Sequence, residues 1–495
     1  MANRWKTANG VLACKLVQKS LRVLKKGGTT LPGRAAMLFD KKILESVSRD
    51  MEVIVVTGTN GKTSTCRMIE HAYELEGLDT IANKSGANLL TGVTAEFASN
   101  ATLSGKPKKK YAVIECDEGA MKHVVPLLKP KVILVSNLFR DQLDRYGEVM
   151  HTLEAIRTAI RLVPESILCL NADCSLTSSL ADGVPNPVYY FGMNRAVGTQ
   201  EEAAISDARY CIRCGAEYEY DYHTYAHLGG FRCPKCGYAR KQPQVEVTDI
   251  GAQNIQGGTC RIRISGNAPA IRKEEAAAEA DARTPQVGQP PRAEDAAPSG
   301  EAAREYDVRS SLPAIYNIYN AAGAICAYMA AGHPAEKIVS ALADVKSSFG
   351  RMEPSTLDGV PIQMILIKNP AGCNQSLSYL TSVGEDYNAV FCLNDRTADG
   401  HDISWIWDAD FEKVSADPHR KKIWVRGDRA EDMQLRLKYA GVDESEIELV
   451  ADNAGIIDRV RKSELPVFIL PNYTAMLSLR AALSVVTGKG EFWKG

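Results

Sequence analysis

The segment Val53-Ile-Val-Val-Thr-Gly-Thr-Asn-Gly-Lys-Thr-Ser-Thr65 constrains this chain more than any other. A β-branched apolar run meets two glycines, and a helix-compatible stretch follows, so the order reads strand, tight turn, helix. Such a turn suits a triphosphate. Gly58 and Gly61 let the backbone approach closely and turn its N–H groups inward, and the helix N-terminus favours negative charge. Lys62 is placed to reach the β- and γ-phosphates, and the Thr63 hydroxyl to ligate Mg²⁺. The nucleotide-binding set is therefore Gly58, Thr59, Asn60, Gly61, Lys62, Thr63 and Ser64. The general phosphate loop has four residues between its glycines and this one has two, so an ordinary Gly-rich turn is the competing reading. The strand before and the helix after weigh toward nucleotide.

Short β-branched runs then alternate with helical periodicity. Residues 111–116, 131–136, 166–171 and 188–191 read as strands, and 62–76 and 148–163 as helices. That alternation predicts an α/β fold with a parallel sheet covered on both faces. Helices resume at Ile315 and run to about Phe349. A last α/β unit starts near Met352, with strands at 362–367, 389–393, 421–426 and 467–469 and a helix at 430–440. The expected domains are a helical segment over 1–50, a nucleotide-binding domain over 51–350 and a C-terminal domain over 351–495. Residues 267–304 carry Ala, Glu, Pro and Arg with almost no large apolar side chains, which predicts a disordered insertion.

In the first 50 residues Ala13, Leu16, Val17, Leu21 and Leu24 recur at helical spacing, with Lys15, Lys19, Arg22, Lys25 and Lys26 between them. A surface helix packed on the next domain and a basic amphipathic helix near anionic lipid both fit. The chain has 495 residues and a net charge of −1, which argues against nucleic acid as a partner. No uncharged apolar stretch reaches the length of about 18 residues that a transmembrane segment needs. The polar start carries no secretory signal.

Four of the thirteen cysteines are clustered. Cys211, Cys214, Cys233 and Cys236 form C-x₂-C-x₁₈-C-x₂-C, the spacing of a zinc ribbon, within an insert over 208–242. Four thiolates leave no open position, so the expected Zn²⁺ is structural. The aromatic residues around them, Tyr210, Tyr218, Tyr220, Tyr222, Tyr225 and Phe231, could hold a base or sugar, or supply the small core of the ribbon. The other cysteines are scattered and include several in apolar runs, which fits a reducing, cytoplasmic compartment.

Thr-Gly-Thr-Asn-Gly-Lys-Thr-Ser also resembles the nucleotide loop of the Mur ligases and folylpolyglutamate synthases. Glu115, in Ile-Glu-Cys-Asp-Glu, resembles the family's Mg²⁺-binding glutamate. Asn317-Ile-Tyr-Asn320-Ala-Ala resembles its Asn motif near the adenine, and Gly350-Arg351-Met352-Glu353 its arginine motif. Residues 137–147 resemble the stretch Asn…Asp-His-Leu-Asp-x-His-Gly, except that Gln142 and Tyr146 replace the histidines. The lysine that many relatives carry beyond it is not evident; Ile156 and Arg157 lie near its place. The resemblance implies ATP and Mg²⁺ as cofactors, Lys62 and Glu115 as catalytic, Thr63 and Glu115 on Mg²⁺, and Asn317, Asn320 and Arg351 on the nucleotide.

A narrower resemblance rests on Tyr210-Cys-x-x-Cys-Gly215, Lys368-Asn-Pro-Ala-Gly-x-Asn374, residues 393–405 and Pro471-Asn-Tyr-Thr474. These are similar to the MurT subunits of lipid II isoglutaminyl synthases. The fold it implies is a Mur-ligase-type central domain with an inserted four-cysteine zinc ribbon and a Rossmann-like C-terminal domain. The activity it implies is ATP-dependent amidation of lipid II with ammonia from a GatD-type glutaminase partner, at the inner face of the membrane. Asp402 matches an aspartate that completes the partner's Cys–His site; a turn-capping aspartate is the plainer reading. Trp405 and Trp407 suit an interface or a core. Cys373 reads as part of a substrate or nucleotide loop, and Gly86-Ala-Asn-Leu-Leu-Thr-Gly92 as a substrate loop or a turn. A self-sufficient amino-acid ligase is the alternative.

Overall fold

A computed structural model describes residues 2–24, 30–83, 86–140, 149–197, 207–254, 257–265, 303–347 and 351–487. In its first half the strands are β1 Glu52–Thr57, β2 Thr80–Ala82, β3 Tyr111–Glu115, β4 Val132–Val135, β5 Ile167–Asn171 and β6 Val188–Met193. A hairpin of β7 Glu219–Tyr225 and β8 Leu228–Arg232 stands apart, and β9 Val245–Asn254, β10 Gly257–Ile264 and β11 Arg304–Ser310 return to the main sheet. That sheet runs β11-β10-β9-β6-β5-β4-β1-β3-β2. From β2 to β9 every pair is parallel, and β9, β10 and β11 close one edge antiparallel.

The central strands are apolar on both faces because both faces are covered: Val53–Val56 and all of β4 are buried. Helix Lys62–Leu75 packs on β1 and β3 and against helix Ile315–Ala330, which lies across β4, β5 and β6. Gly323 permits that second approach, since a Cβ there would stand 3.2 Å from Phe191 and 3.3 Å from Leu134. The predicted strands and the phosphate-loop helix are present within a residue or two. The sequence reading did not find β2, the strand Ile447–Leu449 or the helices Leu90–Ser99 and Met121–Leu128. Arg304, assigned to the disordered insertion, opens β11 instead, held by antiparallel pairing with Ile264; residues 267–302 of that insertion lie outside the described residues. The helical run expected to reach Phe349 stops at the short 3₁₀ turn Leu342–Asp344.

β1 sits between β3 and β4, with Val56 beside Glu115 and Thr57 beside Val135. The chain leaves β1 for one side and later crosses to the other. The C-terminal ends of β3, β1 and β4 therefore meet at the topological switch point, where open α/β sheets bind ligands.

The second sheet holds β12 Arg351–Leu357, β13 Val360–Ile365, β14 Tyr387–Cys392, β15 Arg420–Arg426, β16 Ile447–Leu449 and β17 Val467–Pro471, ordered β12-β13-β17-β14-β15-β16. All pairs but β12–β13 are parallel. Its core has two clusters, one around Phe391 and Phe411 and one around Ile469 and Met476.

The first 50 residues form helices Ala2–Val23, Thr30–Phe39 and Ile43–Val47. The face that packs is Thr7, Gly10, Val11 and Cys14, not the predicted Ala13, Leu16, Val17, Leu21 and Leu24, of which Leu16 and Leu24 are exposed. Helix Thr30–Phe39 approaches helix Leu90–Ser99 at Gly33, where a Cβ would overlap the Thr91 carbonyl oxygen. Gly33→Ala is expected to cost about 1–3 kcal/mol of stability through that overlap. A lower urea midpoint measures it; an unchanged midpoint would mean that the two helices separate freely.

Candidate active site

The loop after β1 is pinned by the residue pair that follows β4. Asn137 Oδ1 accepts from the Asn60 N–H at 2.9 Å, and Ser136 Oγ donates to the Asn60 carbonyl at 2.7 Å. Thr59 N–H donates to the Asn137 carbonyl at 2.9 Å, and Thr59 Oγ1 and Phe139 exchange two further bonds. Gly58 (φ +117°) lies so near this pair that a Cβ would stand 2.7 Å from the Asn137 carbonyl oxygen. Gly61 (φ +89°) opens the helix at Lys62, and a Cβ there would overlap Asn320 Oδ1. Both glycines are required by close approach as well as by left-handed backbone.

Beyond the loop, charge and hydroxyl groups converge. Thr63 Oγ1 donates to Glu115 Oε2 at 2.7 Å, and Asn88 Nδ2 to Glu115 Oε1 at 3.2 Å. Asn83 clamps the Glu115 backbone from both sides, at 2.8 and 2.9 Å. Thr63 and Glu115 are thus one hydrogen bond apart and offer hard oxygen ligands that suit Mg²⁺. Lys62 Nζ donates to the Gly58 carbonyl at 2.6 Å and pairs with Glu118 Oε1 at 2.8 Å. Burial pushes the Glu118 carboxyl above its usual range, and the Lys62 ammonium pulls it back. Sequence reasoning gave no role to Glu118 or Ser136; Asn88 fell within the candidate substrate loop Gly86–Gly92 and Asn137 opened the 137–147 motif, neither with a part in holding the phosphate loop or Glu115. Glu118 stands three residues after Glu115 in the quoted Glu-Cys-Asp-Glu, and that position in the motif was its signal.

A cleft of ≈ 590 Å³, counting its open mouth, runs from this loop to the second sheet. Asn60, Gly61, Ser64 and Asn320 line one wall, and Lys368, Ala371, Gly372, Gln375 and Ser376 the other. Asn369 caps helix Pro370–Ser382, accepting from the Gly372 N–H at 2.8 Å, and its Nδ2 donates to Asn60 Oδ1 at 3.2 Å. Asn320 donates to Asn317 Oδ1 at 3.0 Å, and Asn317 to the Pro313 carbonyl at 2.6 Å, so the asparagine pair is fixed within the first two turns of its helix. Tyr225, from the hairpin between the two C-x₂-C turns, Tyr316, Ile365 and Leu366 complete the lining. These aromatic faces and amide groups can hold a planar base.

Other expected residues lie elsewhere. Cys373 is fully buried in the core of the second sheet, while its neighbours Ala371 and Gly372 face the cleft, so it belongs to no loop around substrate or nucleotide. Ile156 is core and Arg157 bonds Glu154 and Ser179, so neither replaces the family's lysine. Residues 141–148, with Gln142 and Tyr146, lie outside the described residues, as does Gly350; Arg351 is described only as the first residue of β12. Asp402 accepts from the Ser404 N–H at 2.8 Å, a local turn contact just ahead of Ser404–Asp408. Trp405 packs on the core beneath, whereas Trp407 is 49% exposed and meets Tyr439 edge-on at 5.7 Å.

The clustered cysteines lie together. The four Sγ atoms fall within 4.8 Å of one another, with Cys211–Cys236 at 3.6 Å and Cys214–Cys233 at 3.4 Å. A tetrahedral zinc with bonds of about 2.3 Å needs sulfurs roughly 3.8 Å apart, which this set meets with small adjustment. Each pair sits in a matching turn: Gly215 N–H bonds the Cys211 carbonyl and Gly237 N–H the Cys233 carbonyl. Tyr218, Phe231 and Tyr238 form the small core beneath, with Tyr218–Phe231 centroids 5.3 Å apart. The aromatics thus divide: these three support the ribbon, and Tyr225 faces the cleft.

Solved structures of the same fold include several ligases. MurF from Acinetobacter baumannii superposes with a TM-score of 0.61 at 14% identity, over 94% of this chain and 82% of its own. Folylpolyglutamate synthase of Mycobacterium tuberculosis, solved with ADP and AMPPCP, gives 0.56 at 12% identity over 90% and 95%. A family model described as the Mur ligase middle domain matches residues 56–214. Fold and phosphate loop together define an ATP-dependent ligase of the Mur type. The C-terminal part narrows this, for a model described as MurT ligase C-terminal matches residues 366–476. The MurT subunit of the glutamine-hydrolysing lipid II isoglutaminyl synthase of Streptococcus pneumoniae is 30% identical over 97% of both chains. Its counterpart in Staphylococcus aureus is 32% identical over 95% of this chain and 96% of its own. The chain belongs to the MurT family.

Lys62→Ala removes the loop's ammonium and is expected to lower ATP-dependent turnover by about 10²–10³-fold, the usual loss for one preorganised charge-stabilising donor. Glu115→Gln is expected to raise the Mg²⁺ concentration needed for half-maximal rate, with protein stability nearly unchanged. Steady-state ADP release measures both, and wild-type Mg²⁺ dependence in the second variant would remove Glu115 from the metal site.

Proposed function

We propose that the chain uses ATP to convert the α-carboxylate of D-glutamate in the lipid II stem peptide to D-isoglutamine, with ammonia supplied by a GatD-type glutaminase. The carrying observation is the likeness to MurT subunits across nearly the whole of both chains. The Lys62–Glu118 and Thr63–Glu115 contacts on the phosphate loop, next to a cleft lined by Asn60, Gly61, Ser64 and Asn320, support it.

A carboxylate is a poor electrophile at neutral pH. Its oxygen attacks the γ-phosphorus, ADP leaves, and ammonia then displaces phosphate from the acyl carbon and loses a proton. In this reading the backbone N–H groups of 58–63 and the helix N-terminus cradle the phosphates. Lys62 gives up Glu118 to reach the transferred group. Asn317, Asn320 and Tyr225 hold the base, and Arg351 adds to the nucleotide set. Thr63 and Glu115 would hold Mg²⁺, which when bound would neutralise phosphate charge. Orientation across the cleft supplies the remainder, because both walls carry residues that meet only when the two sheets are docked. The domain division that accompanies it is 1–50, 51–350 and 351–495, with zinc on Cys211, Cys214, Cys233 and Cys236 as a structural staple of the hairpin that carries Tyr225.

Asp402 is read as the residue that orients the partner's glutaminase histidine; the exposed Trp407 and Tyr439 nearby in the chain's fold offer an aromatic anchor for that partner. No described helix is long and apolar enough to cross a membrane; the proposed location is cytoplasmic, peripheral at the inner face.

Mass spectrometry of lipid II incubated with ATP, Mg²⁺ and glutamine tests the reading. A loss of about 1 Da on the stem peptide is expected only with the glutaminase present, since replacing OH by NH₂ changes the mass by that amount and the activated carboxylate needs a nucleophile. ATP consumption on addition of an amino acid, with no partner, would point to a self-sufficient ligase instead. Asp402→Asn is expected to reduce glutamine-driven amidation by roughly 10²-fold or more while sparing amidation by free ammonium. Equal losses with both nitrogen sources would remove Asp402 from the partner's site. Elemental analysis is expected to give one zinc per chain, and Cys214→Ser to lower both zinc content and melting temperature.

A further inference from the structure

The first helix, Ala2–Val23, is apolar on two opposite sides. Thr7, Gly10, Val11 and Cys14 are buried against the rest of the protein. Trp5, Leu12, Leu16 and Val23 are 73%, 45%, 55% and 75% exposed. At 3.6 residues per turn these four fall within about 40° of arc, on the side away from the buried stripe. A helix already packed on one face has no folding reason to carry a second apolar stripe outward, and such patches mark contact surfaces. Helix Thr30–Phe39, packed against the first, repeats the pattern: Leu31 and Leu38 are exposed one heptad apart with Arg34 between them, and Phe39 adjoins them.

The charge around these stripes is predominantly positive. Residues 1–50 hold eleven Lys and Arg against three Asp and Glu, a net +8 in a chain whose total is −1. Lys19 is exposed and lies at the edge of the stripe. Lys15 donates to the Ala101 carbonyl at 2.6 Å, which brings in the segment 101–110, where Leu103 and Lys106, Lys108 and Lys110 are exposed. Burial and the neighbouring charge of Lys108 both hold the Lys15 ammonium below its ordinary range. Apolar side chains rimmed by cations match the boundary between headgroups and acyl chains of an anionic bilayer. A protein partner would call for the same apolar stripe but not for so large an excess of cations around it.

We propose that Trp5, Leu12, Leu16 and Val23, with Leu31 and Leu38 and the surrounding Lys and Arg residues, form a surface that docks on anionic phospholipid. This deepens the proposed peripheral location by naming the contact. The same helical unit carries Gly33 against Thr91, in the helix that follows Asn88 and the Glu115 site, so docking there would set the distance of the cleft from the bilayer.

Co-sedimentation of the full chain with extruded phosphatidylglycerol–phosphatidylcholine vesicles, free of lipid II and nucleotide, tests it. Binding to these vesicles and not to pure phosphatidylcholine is expected, weakening as salt rises. The exposed pair Leu12→Ser and Leu16→Ser together should lower the partition by about tenfold or more. Lys19→Glu should act in the same direction. A blue shift of tryptophan emission on vesicle addition should vanish in Trp5→Phe. Amidation of a soluble, lipid-free substrate analogue should stay at the wild-type rate in all of these variants, so docking and catalysis fail separately. Absence of binding, equal binding to neutral vesicles, or unchanged partition of the variants would overturn the proposal. So would a dimer, or a complex with the glutaminase, that the Leu12→Ser/Leu16→Ser variant alone dissociates.

Discussion

Asn60 occupies the middle of the phosphate loop and is held from two directions. Ser136 and Asn137, at the end of the neighbouring strand, fix its backbone; Asn369, at the cap of a helix in the second sheet's layer, meets its side chain. The loop has only two residues between its glycines, so it has little slack and depends on these outside bonds for shape. The same bonds tie the C-terminal ends of the parallel strands to the second sheet. Moving Asn137 or Asn369 would disturb the anion cradle and the cleft together.

Around that point the site is a set of paired groups waiting to be rearranged. Lys62 is engaged by Glu118 and by its own loop, and Thr63 by Glu115. A buried ammonium–carboxylate pair keeps two charges tolerable in a dry place. A triphosphate with its cation offers each of these groups a stronger partner, which makes the resting contacts a compatible ground state for the proposed ligase chemistry. The cysteine-bearing hairpin joins this arrangement through Tyr225, since the turns that gather four thiolates also hold the strand that presents that ring.

The second sheet serves a different purpose. Its cleft wall is mostly small or neutral, from Ala371 to Ser376, with Lys368 as the one cation among the described lining residues. That composition suits a domain that faces a carboxylate and admits a small nucleophile. The turn Ser404–Asp408 on the same layer meets the first sheet's layer through Arg140 and Asp408, 2.8 Å apart, and leaves Trp407 exposed beside Tyr439. The N-terminal helices complete the division of labour, with one stripe inward for folding and one outward.

What could be read in the amino-acid order was whatever depends on neighbours in sequence. The strand–turn–helix of the phosphate loop, the buried parallel strands and the two C-x₂-C turns each carry their signal within about twenty residues, because local backbone conformation and burial on both faces leave a periodic trace. Cross-chain pairings leave no such trace. Nothing local shows that Glu118 would meet Lys62, that Asn369 would reach Asn60, or that Tyr225 and not Tyr218 would turn to the cleft. The N-terminal helix is the clearest case: two opposite apolar stripes were both present in its sequence, and only packing against residues 36–43 and 95–105 decided that Val11 and Cys14 go in while Leu12 and Leu16 stay out. Periodicity states that a face is apolar; which of two such faces is buried is decided by shape complementarity with distant parts of the chain, and that exists only in the folded molecule.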